Sequence, residues 1–226
     1  MGNGSVNPPV INGMSFLRRR WILSAIVLVG LASGVTVARG PILRAVGRVL
    51  VADEPVEAAD IVVVPQWAGR EGAIDAADLV HGGIASRVAI LPGPAKPANS
   101  ELTRRGILDQ DETAKMIQLL RALGVTKIDV IPNAAAGTEA EGELLPSWCD
   151  QHRFHSIVVV STADHSRRIR RVLHRSFLDH PTRVVIRSAR YSSFDPDRWW
   201  QTRDGIRTEI VELEKLFLDV ARHPIS

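Results

Sequence analysis

The stretch HSIVVVSTADHSRRIRRVLHR, residues 155–175, decides the fold class of this 226-residue chain. It contains the uninterrupted apolar run Ile157–Val160, which is typical of a parallel strand buried on both faces. Small polar residues end the run, and an arginine-rich segment with helical character follows. In open α/β sheets, ligands bind outside the carboxyl ends of the strands. The polar residues after Val160 therefore mark a candidate site.

The side chains that follow this strand are candidates for that site. Ser161 and Thr162 lie at the predicted strand end, where a ligand would contact them. His165 is a candidate general acid or base, and the alternative is a capping or packing histidine. Arg168 lies on the same helical face and suits bidentate binding of phosphate or carboxylate, unless it is a solvated surface charge. Asp164 is expected to cap the helix, and the alternatives are that it orients His165 or binds a metal.

Apolar runs and helical patterns alternate over residues 60–222. This alternation predicts a three-layer α/β/α, Rossmann-like domain whose mostly parallel sheet has about five strands. The predicted strands are 60–65, 87–91, 127–131, 155–161 and 183–187, and the predicted helices are 70–82, 109–123, 138–152, 164–178 and 204–221. Long loops are expected at 92–110 and 188–203, on the edge of the sheet that holds the site.

The amino-terminal region predicts a disordered tail at 1–17, a membrane anchor at 18–40 and a linker with a short amphipathic stretch at 41–59. Within the anchor, residues 21–38 are uncharged and mostly apolar, which is near the lower limit for spanning a bilayer. Three arginines precede them, so the positive-inside rule predicts a single pass through the cytoplasmic membrane with the α/β domain outside. A signal peptide cleaved after residues 36–38, or a buried helix of the domain, are the alternatives.

The charge distribution argues against nucleic-acid binding. The chain has a net charge of +3, with 28 basic and 25 acidic residues. Residues 1–38 hold three of the basic residues and none of the acidic ones, so the rest of the chain has no net charge. A nucleic-acid-binding domain is normally basic as a whole. The single cysteine, Cys149, excludes an intrachain disulfide and a zinc site built from cysteines.

Six short motifs follow one another along the chain. They are LVADEP (50–55) with ADIVVV (59–64); AADL (76–79) with GIA (83–85); Glu112 with Met116, Leu120, Gly124 and Val125; Thr138 with Glu139 and Glu141; VST (160–162) with His165 and Arg168; and Trp199 and Trp200 with Arg203, Gly205, Arg207, Glu212 and Lys215. Taken in this order, they resemble the family of unknown function typified by YdcF, SanA and ElyC. The resemblance covers residues 40–218.

The resemblance implies a membrane-anchored protein of the cell envelope, with a link to peptidoglycan. It implies a ligand site at the carboxyl ends of the strands, where an enzyme would act on an anionic, phosphate- or nucleotide-bearing molecule such as a lipid-linked cell-wall precursor. His165 and Glu139 are the predicted catalytic residues. The predicted ligand-binding residues, of which Arg70 matches the family only loosely, are Arg168, Ser161, Thr162, Thr138, Glu112 and Arg70.

The sequence departs from the family where glycine pairs normally follow the first two strands. Residues 65–67 read Pro-Gln-Trp, and residues 92–94 read Pro-Gly-Pro. Glycines there would let a phosphate approach backbone N–H groups. Their loss favours a second hypothesis, a non-catalytic envelope factor or a module that binds a nucleotide-type ligand such as S-adenosylmethionine. No cofactor is named, and no metal is expected because no spacing supports a metal site. Thr138 and Glu141 match a capping box, which is a purely structural reading.

Overall fold

The structure is a computed structural model that describes residues 21–23, 37–94, 96–107, 112–132 and 137–224. The chain forms two compact units, residues 1–43 and residues 44–226. In the first unit, residues 21–23 and 37–43 are helical. The predicted tail at 1–17 and most of the predicted anchor at 18–40 lie outside the described residues. Within the described ranges, none of the helices is both long and apolar enough to cross a membrane.

The second unit contains a sheet of five parallel strands, as the sequence predicts. The strands are β1 (Ile61–Pro65), β2 (Val88–Leu91), β3 (Ile128–Val130), β4 (Ser156–Ser161) and β5 (Arg183–Ser188). Their spatial order is β3-β2-β1-β4-β5, so the chain runs outward from β1 to β3 and then returns to the other side of β1. The strand order therefore reverses between β1 and β4, where such folds form a crevice.

Helices cover both faces of the sheet. They are α1 (Gly69–His81), α2 (Pro97–Arg104), α3 (Glu112–Ala122), α4 (Thr138–His152), α5 (Ala163–Ser176) and α6 (Arg203–Arg222). Single turns of 3₁₀ helix lie at Gln66–Ala68 and Trp199–Gln201. The helix α2 falls inside the predicted loop at 92–110, and the other five agree with the predicted helices to within a few residues.

The core consists of two clusters, one on each face of the sheet. Along β1, Val62 and Val64 pack against α1 and α3, whereas Ile61 and Val63 pack against α4 and α5. The same alternation continues along β4, because successive side chains of a strand point to opposite faces. Both faces of the central strands are therefore buried. This explains why these strands read as continuous apolar runs in the sequence.

The last helix and the segment before β1 complete the domain. Leu216 of α6 packs against Leu50, Ala163 and Phe194 in a third, smaller cluster. Residues 50–59, within the predicted linker, contain neither helix nor strand, and Glu54 of this segment bonds to the backbone of β5. The packing of α6 beside the start of α5 brings residues from the end of the chain to the crevice at β4.

Candidate functional site

The candidate site is a cavity of about 410 Å³ at the carboxyl ends of β1 and β4, at the crevice where the strand order reverses. We call it the His165 cavity. The 3₁₀ turn after β1 supplies Gln66 and Trp67, and α5 supplies His165. The start of α4 supplies Thr138. The complete set of lining residues is Gln66, Trp67, Gly93, Pro94, Lys96, Glu112, Gly137, Thr138, Glu141 and His165.

His165 lines this cavity, and four side chains contact its ring. Its Nε2 atom lies 3.3 Å from Thr138 Oγ1. Its Nδ1 atom lies 2.8 Å from Arg168 Nη2 and 3.2 Å from Glu212 Oε2. The Trp67 ring packs against the imidazole with 4.2 Å between the centroids. These contacts fix the orientation of the imidazole on both of its nitrogens.

The surroundings of His165 keep its ring neutral. Burial lowers the pKa of His165, and the Arg168 charge lowers it further, although the contact with Glu212 opposes both. Burial alone would raise the pKa of Glu212, but the contacts with His165, Lys215 and Arg168 outweigh it and lower that pKa to about 2. The arrangement is therefore an ionised Glu212 paired with Arg168 and Lys215, beside a neutral imidazole.

The contacts also indicate which imidazole nitrogen carries the hydrogen. The shortest contact of Nδ1 is with Arg168, and a guanidinium group can only donate. We therefore assign Nδ1 as the acceptor and place the hydrogen on Nε2, where it donates to Thr138 Oγ1. Glu212 Oε2 then lies beside Nδ1 because Arg168 donates to both of them, and the imidazole does not bond to it directly. Arg168 Nη1 also donates to the Thr138 hydroxyl, at 2.8 Å. With two bonds accepted, the Thr138 hydroxyl is free to donate its own hydrogen.

A buried carboxyl group lies on the other side of Trp67. The Trp67 indole N–H donates to both oxygens of Glu141, at 3.0 and 3.2 Å. Burial raises the pKa of Glu141, although the Trp67 bond and the Arg168 charge act in the opposite direction. Glu141 thus carries less negative charge at a given pH than an exposed glutamate would.

A second cavity of about 510 Å³ adjoins the first. We call it the Arg70 cavity, and it shares Gln66 and Glu112 with the His165 cavity. Its lining is Gln66, Gly69, Arg70, Glu112, Lys115, Met116, Gln118, Leu119 and Ala122. Because they share Gln66 and Glu112, the two cavities are neighbours, and we call them together the cleft.

The structure brings several predicted site residues together. Thr138, His165 and Glu112 line the His165 cavity, and Arg70 lines the adjoining one. Arg168 lines neither cavity and lies behind His165, where it donates to Glu212 at 3.3 Å. Its position indicates a role in fixing the imidazole rather than direct contact with a ligand.

The other predicted residues lie elsewhere. Ser161 is fully buried, and its hydroxyl donates to the Thr162 carbonyl oxygen at 3.0 Å. Neither residue lines either cavity. Glu139 is mostly exposed and pairs with Arg175 at 2.9 Å, so its carboxylate is bound on the outer side of α4 and α5.

Two capping predictions are wrong. Residue Asp164 lies inside the first turn of α5, whose N-cap is Thr162 and has no side-chain cap bond. The helix α4 begins at Thr138 itself after Gly137, so Thr138 is not an N-cap and no capping box forms. The Thr138 hydroxyl binds His165 and Arg168 instead, and Glu141 binds Trp67.

Several residues of the site were not among the candidates. Gln66, Trp67, Lys96 and Gly137 line the His165 cavity, and Glu212 binds Arg168, which holds the histidine. The Pro-Gln-Trp sequence after β1 was noted only as a departure from the family, yet its tryptophan packs on the imidazole. Gln66 Oε1 accepts the Gly93 backbone N–H, so that N–H is already occupied.

In the parts of the chain that the structure describes, one group of side chains has the spacing of metal ligands. It consists of Glu139, Asp219 and His223, with ligand atoms within 4.8 Å of one another. Arg175 donates to both carboxylates, at 2.9 and 2.7 Å. Because a guanidinium group already occupies the space between the carboxylates, the group is an ion-pair cluster rather than a metal site. None of its members lines either cavity.

Comparison with known proteins yields no family model and no curated protein that matches the sequence. The resemblance to the family of YdcF, SanA and ElyC thus stays a prediction.

Proposed function

We propose that this protein is an enzyme that binds a small anionic ligand in the His165 cavity and stabilises the reacting ligand oxygen with a hydrogen bond from His165. The observation that supports this most strongly is the fixed imidazole that lines the cavity, with Nε2 beside Thr138 and Nδ1 held by Arg168. When a ligand oxygen replaces Thr138 Oγ1 as the acceptor, the neutral imidazole can stabilise negative charge that develops on that oxygen while it keeps its hydrogen.

The charges around the cleft support an anionic ligand. Lys96 lines the His165 cavity and Arg70 lines the adjoining one, and neither cation forms an ion pair with a described residue. Glu112 lines both cavities, but it is paired with Lys115 at 3.2 Å. The amino terminus of α4 at Thr138 adds partial positive charge from the backbone N–H groups of its first turn. A phosphate-bearing molecule is the ligand class that these groups suit.

The test uses two readouts on the full-length chain. Binding of inorganic pyrophosphate is measured by isothermal titration calorimetry, and hydrolysis of 4-nitrophenyl phosphate and bis(4-nitrophenyl) phosphate is measured by absorbance. For His165→Gln, we expect turnover to fall by about 100-fold or more, whereas pyrophosphate binding stays within about threefold. The matched control is His174→Gln, which changes a histidine of the same helix outside the cleft. Equal turnover by wild type and His165→Gln would contradict the proposal.

A non-catalytic binding module, for an envelope ligand or a nucleotide-type ligand such as S-adenosylmethionine, is the second candidate. One observation favours it: groups that would bind an anion are already occupied, since Arg168 is bound by Glu212 and the Gly93 N–H by Gln66. In that case no substrate is turned over, and His165→Gln still rescues the envelope-stress phenotype of a deletion strain. Loss of rescue in His165→Gln, with rescue by His174→Gln, would favour the enzyme.

We also propose that residues 21–38 anchor the chain in the cytoplasmic membrane and leave the α/β domain outside. The support is the uncharged run that follows three arginines in the sequence. This position would give the site access to envelope precursors, including lipid-linked ones. A carboxy-terminal alkaline phosphatase fusion is expected to be active and to remain in the membrane fraction after carbonate washing. An inactive fusion would contradict the outward orientation.

A further inference from the structure

We propose that α6 is the interface through which two copies of this chain associate, with their α6 helices packed antiparallel. The starting observation is the unusual distribution of residues around this helix. Its buried side includes Glu209, Glu212 and Asp219, whereas large apolar residues stand exposed. Ile210 is 59 % exposed and Phe217 is 71 % exposed. A helix with solvent on its open side normally shows the reverse pattern.

The exposed apolar residues form a regular stripe. It consists of Ile206, Ile210, Leu213, Phe217 and Val220, of which Leu213 is half-buried and the other four are exposed. The intervals are four, three, four and three residues, which is the spacing of the core positions of a coiled coil. That spacing places the five side chains along one seam of the helix. A partner helix is the surface that such a seam fits.

The charges beside the stripe favour a second copy in antiparallel orientation. Arg207 and Glu214 are exposed next to the seam, and neither forms an ion pair within the described part of the chain. When Ile210 packs opposite the partner's Leu213, Arg207 lies within one helical turn of the partner's Glu214. Twofold symmetry then forms this ion pair twice, because the same patch serves both copies. The helix is thus complementary to itself in this register.

A parallel pairing lacks this complementarity. In a parallel pair, charged residues that flank the two sides of the seam face each other across the interface. The side of the seam away from Arg207 and Glu214 holds Glu209 and Leu216, which are buried in their own chain. They are unable to reach a partner. Charge pairing between the copies is therefore available only when the two helices run in opposite directions.

The first experiment measures the protein mass of the full-length chain, purified in detergent, by sedimentation velocity and by light scattering, with the detergent contribution subtracted. We expect a particle of twice 24.7 kDa at micromolar concentration. Phe217→Asp is expected to weaken association by at least about tenfold, since it removes a central apolar contact of the seam. The matched control is Leu218→Asp, because Leu218 is 43 % exposed on a different side of the same helix. The control is expected to leave the mass unchanged.

A charge exchange tests the register. Arg207→Glu or Glu214→Arg alone places like charges together and is expected to weaken association by about threefold to tenfold. The combined variant Arg207→Glu with Glu214→Arg is expected to restore association to within about twofold of wild type. Because Arg207 and Glu214 are exposed, we expect every variant to fold as wild type does, and thermal unfolding checks this.

Three outcomes would overturn the proposal. The first is a wild-type chain that stays monomeric at tens of micromolar. The second is an equal loss of association in Phe217→Asp and Leu218→Asp, and the third is a combined charge variant that fails to recover. None of these results bears on turnover at His165, so this proposal and the proposed enzyme fail or succeed separately.

Discussion

Glu209 is a carboxyl group buried without a hydrogen-bond partner. It lies on α6 with no exposed surface, and neither of its side-chain oxygens accepts a bond from any residue that the structure describes. Burial raises the pKa of Glu209 to about 7, and the nearby Asp164 charge contributes. The carboxyl group thus holds a proton in the folded chain at pH values where the unfolded chain has released it.

This difference makes the folded state less stable as the pH rises. Because the pKa of Glu209 is higher in the folded chain, its contribution to the free energy of unfolding is fully present below pH 4.5 and is lost as the pH rises through 7. Glu209→Gln keeps the shape but cannot ionise. We therefore expect the variant to be more stable than wild type by about 2 kcal/mol at pH 8, with little difference at pH 4.5. Urea unfolding at the two pH values measures this.

The control for this experiment is Glu143→Gln on α4. Glu143 is exposed, so its replacement should change the free energy of unfolding by less than about 0.5 kcal/mol at both pH values. If Glu209→Gln showed the same pH dependence as wild type, the proton would not be bound at Glu209.

At the scale of the element, α4 and α5 pack through a glycine. Gly142 lies on α4, and a Cβ atom there would come within 2.6 Å of Val172 Cγ1 and 2.8 Å of Ser176 Oγ on α5. Both distances are shorter than ordinary van der Waals contact, so the Val172 and Ser176 side chains or the helices themselves would have to shift. The glycine permits the close packing that places Thr138 next to His165, because these residues begin the same two helices.

Gly142→Ala is therefore expected to destabilise the domain despite the higher helix propensity of alanine. Overpacking costs about 1–3 kcal/mol, and the gain in propensity offsets about 1 kcal/mol of it. We expect a net loss of about 1–2 kcal/mol, measured by urea unfolding. Glu143→Ala, at the next and exposed position of α4, should change stability by less than about 0.5 kcal/mol. A neutral or stabilising Gly142→Ala would show that α5 adapts without cost.

The elements of this fold are mostly predictable from the sequence. The run Ile157–Val160 is apolar at every position because both sheet faces are buried, so its pattern identifies a central strand directly. The helix α2 (Pro97–Arg104) has no buried residue among its described side chains. It therefore lacks the apolar stripe by which a helix is recognised, and Pro97 together with the prolines at 92 and 94 favours a loop prediction.

The site is only partly predictable, because its contacts join residues far apart in the chain. His165 and Thr138 follow from their places at helix starts, but Glu212 lies 47 residues beyond His165. Trp67 and Glu141 are 74 residues apart. The capping-box pattern at Thr138 and Glu141 is a local signal, and tertiary contacts override it. Only the packing of α6 and of the turn after β1 shows which of several polar residues converge.

At the scale of the whole molecule, the segment before β1 protects an edge of the sheet. The strand β5 is an edge strand, with backbone groups available for pairing with another chain. The Glu54 backbone N–H donates to the Ile186 carbonyl oxygen at 2.9 Å, and its carboxylate accepts the Ile186 N–H at 2.9 Å. Asp53 accepts the Ser188 N–H at 3.0 Å. Two acidic residues thus occupy the edge and connect it to the start of the domain.

The Glu54 carboxylate also connects this edge to α5, so we expect its loss to lower the free energy of unfolding of the whole domain. Burial would raise its pKa, but the bonds from Arg170 and the Ile186 N–H outweigh it and lower the pKa below the usual 4.5. The contribution of Glu54 to the free energy of unfolding is therefore present above pH 4.5 and lost as the pH falls. This pH dependence has the opposite direction to that of Glu209. Glu54→Gln is expected to cost about 2 kcal/mol at pH 7, and less below pH 4.

Comparing Glu54→Gln with Glu57→Gln separates this role from general charge effects. Glu57 belongs to the same segment and pairs with Arg183 at 2.9 Å, but its side chain is 75 % exposed, so its loss should cost less than about 1 kcal/mol. If Glu54 also blocks the edge, its variant should aggregate faster on heating, as measured by light scattering, because β5 then offers free backbone groups to other chains. Equal stability and equal aggregation in the two variants would show that β5 is protected by the backbone of the segment alone.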